Sequence, residues 1–246
     1  MPPPTPPPDP TVPEYNKRVE LHKAGNLLEA REAFEDFIER HPESTRIEEA
    51  KNRLGEINTD IFLSPMDAPG KQTYTVKSGD VLSRVASRLK TTPELLSEAN
   101  DLTQVMLKIG QKLTYTPHNF SLTIDRKNDK VVLLNEGRFF AQFAIIAKEE
   151  PKKNQAKEPP RGKQSGTVSN KMAWHEDKTV NFTDPEYKTA DHWVVISVPG
   201  NTLYSHREAG TEGKKPKRPP SGLGLAPEDM QKLAVLVNKG TPVIIE

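Results

Sequence analysis

The 246-residue chain contains no cysteine. That absence removes disulfides, thiolate zinc sites and every mechanism that runs through a cysteine nucleophile. An excess of either charge is missing too: 35 lysines and arginines face 34 aspartates and glutamates. No global field therefore draws the protein to nucleic acid or to an anionic bilayer. No run approaches the ~20 apolar residues that a membrane helix needs. The opening Met1-Pro-Pro-Pro-Thr-Pro-Pro-Pro shows neither the basic nor the apolar region of an export signal. Paired metal spacing is absent among the six histidines. His175-Glu176 and Asp191-His192 are adjacent pairs, whose side chains leave a strand on opposite faces. No metal and no cofactor are expected.

What is present is modular, and the length allows two or three compact domains. Eight of the first thirteen residues are proline, so residues 1–13 read as an extended tether that cannot bury enough apolar surface to fold alone. From Glu14 to about residue 64 the apolar residues recur at helical spacing: Val19, Leu21, Ala24, Leu27, Ala30, Phe34, Phe37 and Ile38. Gly25-Asn26 breaks the first helix from the second. His41-Pro42-Glu43-Ser44 precedes a third stretch with Ile47, Ala50, Leu54 and Ile57 on one face. The Gly25-Asn26 turn, Glu29-Ala30, Phe34, Phe37 and Pro42 resemble one tetratricopeptide-type repeat and a fragment. Such a hairpin is expected to act as a structural cap, with a protein partner docked through the helices as the alternative.

Residues 71–117 predict a strand, two short helices and a returning strand. Tyr74-Thr-Val is followed by a Ser78-Gly79-Asp80 turn, then by Leu82, Val85, Ala86 and Leu89 at helical spacing. Thr91-Thr92-Pro93-Glu94 caps a second helix through Leu95, Leu96 and Ala99. Ile109-Gly-Gln-Lys-Leu-Thr-Tyr reads as the second strand. Tyr74-Thr75-Val76, Gly79-Asp80, Leu82, Ala86, Thr92, Leu95, Asn100 and Ile109 to Leu113 resemble the LysM family from end to end. The resemblance implies binding of peptidoglycan glycan strands or a related N-acetylglucosamine polymer. Its groove would lie between Gly79, Asp80, Val81 and Leu82 on one side and Asn100, Met106, Leu107, Lys108, Ile109 and Gly110 on the other. Val81 and Met106 are the sugar-contact candidates. Leu82 and Ile109 equally suit the core, and Asp80 a helix cap.

Beyond Pro117 the pattern alternates as strands do: Phe120 to Asp125, Lys130 to Leu134 and Arg138 to Ala147, with Asn135-Glu136-Gly137 as a hairpin turn. Gly166-Thr-Val, His192 to Val198 and Pro242 to Ile245 are further strands, and Pro227 to Val237 is a helix. Residues 118–246 thus form a β-rich domain. The hairpin Leu122 to Phe143, the run Leu225-Ala226-Pro227-Glu228-Asp229-Met230 and the segment Val237 to Ile244 resemble the L,D-transpeptidase (YkuD-type) domain. That family crosslinks peptidoglycan through a cysteine helped by histidine. By resemblance the nucleophile position is Gly222 and the arginine position is Gly224, with Ser221 beside them and His206 as the upstream histidine. A thiolate route needs its sulfur, so this site is expected to be vestigial. The competing reading is an active peptidoglycan-modifying enzyme with Ser221 as a substitute nucleophile and His206 as its base. Two basic runs, Lys148–Lys163 and Lys214–Arg218, would suit acidic wall polymers but equally read as solvated loops.

The fold class expected is therefore multidomain α+β: a tetratricopeptide-like helical hairpin, a βααβ LysM module and a YkuD-like sandwich with one helix. The function expected is that of a non-catalytic wall-binding scaffold in the cell envelope, whose export signal this chain does not display.

Overall fold

The computed structural model describes residues 9–149, 162–207, 219 and 221–246. The proline tract up to Pro8, residues 150–161 of the first basic run and all of Lys214–Arg218 lie outside the described residues. The chain divides into two units, Met1–Phe62 and Leu63–Glu246.

The first unit is three helices: α1 (Val12–Lys23), α2 (Leu27–Arg40) and α3 (Ile47–Phe62). Gly25 sits at φ +77°, the left-handed conformation that lets the chain reverse between α1 and α2. Their apolar stripes meet in a core of Tyr15, Val19, Ala30, Phe34, Phe37, Ala50, Leu54 and Ile57, with the Tyr15 ring 6.1 Å from Phe34 and 6.0 Å from Phe37. Arg18 is buried with its charge satisfied, donating to the Ala33 and Glu14 carbonyls and to Asp36. The third stretch is a full helix of 16 residues.

The second unit begins with β1 (Gln72–Thr75), α4 (Leu82–Arg88), α5 (Pro93–Glu98) and β2 (Lys112–Tyr115). The two strands pair antiparallel, Gln72 opposite Tyr115 and Thr75 opposite Lys112. Thr92 caps α5 as its sequence predicts, its hydroxyl accepting from the Leu95 N–H at 3.1 Å. The returning strand is shorter than predicted, because Gly110 adopts φ +82° and Ile109-Gly110 is turn rather than strand.

The remaining strands are β3 (Phe120–Asp125), β4 (Lys130–Asn135), β5 (Arg138–Ala144), β6 (Ala147–Glu149), β7 (Gln164–His175), β8 (Lys178–Val180), β9 (Asp191–Ile196), β10 (Leu203–Ser205), β11 (Gly222–Leu225) and β12 (Pro242–Ile245), with α6 at Pro227–Leu236. They are ordered β5-β4-β3-β12-β7-β9-β10-β11-β6, with β8 beside β7. Glu136 (φ +52°) and Gly137 (φ +79°) form the two-residue reversal between β4 and β5, the twist that tight hairpins require. The long strand β7 joins β12 through residues 164–167 and β9 through residues 168–174, so one strand belongs to both layers of the sandwich. Its irregular register between Val168 and Asn170 marks the change of partner. Helix α6 buries Met230, Leu233, Ala234, Val235 and Leu236.

The two parts of this second unit share a boundary. Phe182, after β8, packs against the core of Val76, Leu82, Val85, Ala86, Leu96 and Leu113 that lies between β1, β2 and the short helices. Lys171 of β7 lies 2.5 Å from Glu94 of α5, and Lys188, in a 3-10 turn at Pro185–Thr189, lies 3.3 Å from Glu98. His192 of β9 is 1% exposed, and its Nε2–H donates to the Tyr187 carbonyl at 3.0 Å.

Burial holds the His192 pKa below its ordinary value, with the Tyr187 carbonyl bond opposing the shift. A histidine depressed in this way takes its proton first in the unfolded chain. Stability is therefore lost as pH falls below about 6.5 and on through the folded-state pKa. We expect the thermal midpoint of the chain to drop between pH 7 and pH 5, and His192→Gln to flatten that decline. An unchanged slope in the variant would assign the effect to His118, which burial shifts in the same direction.

Candidate functional site

The chain leaves β1 at Val76, whose N–H donates to the Gln111 carbonyl and whose carbonyl accepts from the Gly110 N–H, each at 2.9 Å. The loop that follows β1 and the loop that precedes β2 therefore issue side by side from one end of the same ladder. Gly79 adopts φ +81° in the first loop, a conformation open to glycine at little cost.

Asp80 is a clamp for that loop. Its carboxylate accepts from the Lys77 N–H at 2.9 Å and from the Tyr74 hydroxyl at 2.7 Å, and Arg88 reaches both Asp80 and Tyr74. The Lys77 bond, then the Tyr74 bond, hold its pKa below the usual carboxylate range. Helix α4 starts instead at Val81, with no side-chain cap, so the helix-cap reading of Asp80 is corrected: its oxygens close the turn before the helix. Asn100 is likewise committed. Its amide donates to the Leu96 and Thr114 carbonyls at 2.8 Å each, and its oxygen accepts from the Thr114 N–H at 2.7 Å. It ties the second loop to α5 and β2.

Leu82 is buried and Leu107 packs on the core. Ile109 is the second correction: it is 73% exposed, Met106 is 80% exposed and Val81 is 44% exposed. Val105, which the sequence reading left out, is 48% exposed. Its only signal was the apolar density of Leu102 to Ile109 in a stretch with no helical or strand period. Val81, Val105, Met106 and Ile109 thus form a group of exposed apolar side chains on two adjoining loops, the kind of surface that marks a binding site. Lys108 is exposed on the same loop.

The second candidate group is assembled only in part. Strands β10 and β11 run parallel, with Leu203 opposite Leu223 and Ser205 opposite Leu225. Gly222 therefore lies level with Thr202, and it is Gly224, two positions on, that packs against His206. Ser221 is one residue farther away. His206 donates its N–H to the Leu225 carbonyl at 2.8 Å, and its ring stands edge-on to Tyr204 with centroids 6.1 Å apart. A Cβ on Gly222 would meet the Thr202 carbonyl oxygen at 2.3 Å. One on Gly224 would meet the His206 Cβ at 2.8 Å and Tyr204 at 3.0 Å. Among the described residues no cluster of three or more metal-ligating side chains occurs, and no helix is long and apolar enough to cross a membrane.

Comparison with known proteins gives three results. No curated protein matches the chain. Solved L,D-transpeptidases are similar in structure. One from Mycobacterium smegmatis is 15% identical with TM-score 0.33, covering 56% of this chain and 64% of its own. Another, from Stackebrandtia nassauensis, is 15% identical with TM-score 0.33, over 52% of this chain and 55% of its own. The catalytic domain of the E. faecium L,D-transpeptidase, acylated by ertapenem, is 18% identical with TM-score 0.31, over 52% of this chain and 97% of its own. This chain thus spans less than two thirds of the first two of these proteins. The LysM domain family matches at the position where the two loops are built, and residues 74–115 are a LysM domain.

Proposed function

We propose that the chain binds an N-acetylglucosamine polymer, peptidoglycan foremost, through its LysM domain, and serves in the cell envelope as a non-catalytic wall-binding protein. The observation that carries this reading is the exposure of Val81, Met106 and Ile109 on adjoining loops. Solvent-exposed aliphatic side chains cost free energy unless a ligand covers them, and the apolar faces of pyranose rings are such a cover. Asp80 and Asn100 act beneath the floor, fixing the loops and leaving the backbone and Lys108 for the acetamide and hydroxyl groups.

Support for a silent C-terminal domain is steric as well as chemical. The position assigned to the nucleophile by resemblance has no room for a side chain, and the residue packed against the histidine is Gly224, two positions farther along the strand. The same spacing weighs against Ser221 and His206 as a substitute pair, since a nucleophile and its base need hydrogen-bond reach.

Co-sedimentation of the intact protein with purified peptidoglycan sacculi tests the reading. The protein is expected in the pellet, and soluble N-acetylglucosamine oligomers are expected to release it. A protein that stays in the supernatant with both sacculi and chitin would end the proposal.

A further inference from the structure

The LysM domain is seated on the sheet. Glu94 and Glu98, one turn apart on α5, face Lys171 on β7 and Lys188 in the 3-10 turn. The inner pair is well shielded, with 18% of the Lys171 side chain and 19% of the Glu94 side chain exposed. Lys171 donates a second bond to the Ala234 carbonyl of α6 at 2.7 Å, and the Tyr187 hydroxyl bonds to Glu94. Phe182 inserts from the sheet side against the LysM core. The seam holds an open pocket of about 170 Å³ lined in part by Glu94, Lys171, Phe182, Tyr187 and His192. A pocket lined by titratable groups invites a ligand, but here Glu94, Lys171, Tyr187 and His192 are already bonded to one another or to backbone. Their arrangement is that of a fastening.

We propose that Glu94, Lys171 and Phe182 are positioning residues for the glycan groove: they hold the LysM domain and the sheet as one rigid body. The polymer is then met at an angle set by the sheet, not by a swinging module. The purpose of this seat rests on the glycan-binding reading, but its test does not. Three of the contacts unite segments far apart in sequence, and one of them, Lys171–Glu94, places opposite charges largely out of solvent, where each partner is strongly disfavoured without the other. Undocking is the route by which a lone Glu94 would recover its hydration.

Backbone ¹⁵N relaxation on the intact chain measures the seat directly. Amides of residues 74–115 and amides of the sheet are expected to report a single rotational correlation time. A shorter time for the LysM amides would overturn the proposal at once. Lys171→Met combined with Lys188→Met leaves the LysM core untouched. In that variant the LysM correlation time should fall several-fold, toward that of a free domain of its size, while the amide shifts of Val76, Leu82 and Leu113 persist. Tumbling that stays common to both parts would show that the ion pairs do not fasten them. Phe182→Leu should keep the common tumbling and Phe182→Ser should lose it, whereas a purely structural cluster would lower the melting temperature and leave tumbling unchanged. Failure to bind any glycan, with one correlation time retained, would count against the groove and not against the seat.

Discussion

Gly222→Cys is expected to yield a protein less stable by about 3 to 5 kcal/mol and to confer no acyl transfer. The added Cβ would lie 2.3 Å from the Thr202 carbonyl oxygen, and that oxygen is not free to move aside. It accepts the Leu223 N–H at 2.8 Å, a bond at the mouth of the β10–β11 ladder, so displacing it breaks the pairing that sets the register of Leu203 with Leu223. The neighbouring change Gly224→Arg faces the Cβ of His206, the Cβ of Ala147 and the Tyr204 ring. Tyr204 is fully buried and cannot yield without opening a void elsewhere. Denaturant midpoints of both variants measure the loss. A Gly222→Cys protein of wild-type stability, whose new thiol reacts with iodoacetamide at the rate of an activated thiolate, would show that the site retains catalytic geometry and would defeat the silent-domain reading.

Met106→Asp combined with Ile109→Asp is expected to weaken glycan binding by about 2 to 3 kcal/mol, roughly 30- to 150-fold in Kd. Both side chains are mostly in solvent, at 80% and 73% exposure, so stability should stay within about 0.5 kcal/mol of the parent. That combination separates contact from scaffold. Asp80→Ala acts through the scaffold instead: it removes the acceptor that holds the Lys77 N–H and the Tyr74 hydroxyl, and should lower stability together with binding. Titration with soluble oligosaccharides by calorimetry reads the first variant. Unchanged affinity there would mean that the polymer docks on some other face of the LysM domain.

Much of the LysM domain was legible because its signals are local. Thr92-Pro93 marks a helix start and Ser78-Gly79-Asp80 marks a turn, each within a few residues, and in the sheet beyond the alternation from Phe120 to Asp125 marks a strand in the same way. Ile109 misled because an aliphatic residue beside a strand looks like core. Its exposure follows from the turn at Gly110, which delays the strand to Lys112. Strand β7 was visible only at Gly166-Thr-Val, since Ser169, Asn170 and Lys171 are polar. They lie where the strand passes from one layer to the other, so no single face imposes a period of two. Strand β11 was hidden for another reason: Gly-Leu-Gly-Leu has low strand propensity, and its glycines are required by close approach of Thr202 and His206. The Lys171–Glu94 pair spans 77 positions and leaves no mark on either segment alone.

The place of β12 carries a consequence for the order in which this molecule is made. It lies between β3 and the first residues of β7, parallel to the first and antiparallel to the second, so it completes the layer in which β3 and the start of β7 lie. During synthesis Phe120 and its neighbours emerge more than a hundred residues before Pro242. Helices α1 to α3 can form on emergence, because their contacts are local. The sheet cannot, since until residues 242–245 appear β3 and β7 each offer an unpaired edge at what will become its centre. Loop closure over that span makes the last step slow relative to the helices. Nascent chains stalled before Pro242 should therefore present two open strand edges, the form in which chaperone capture and strand-mediated aggregation compete.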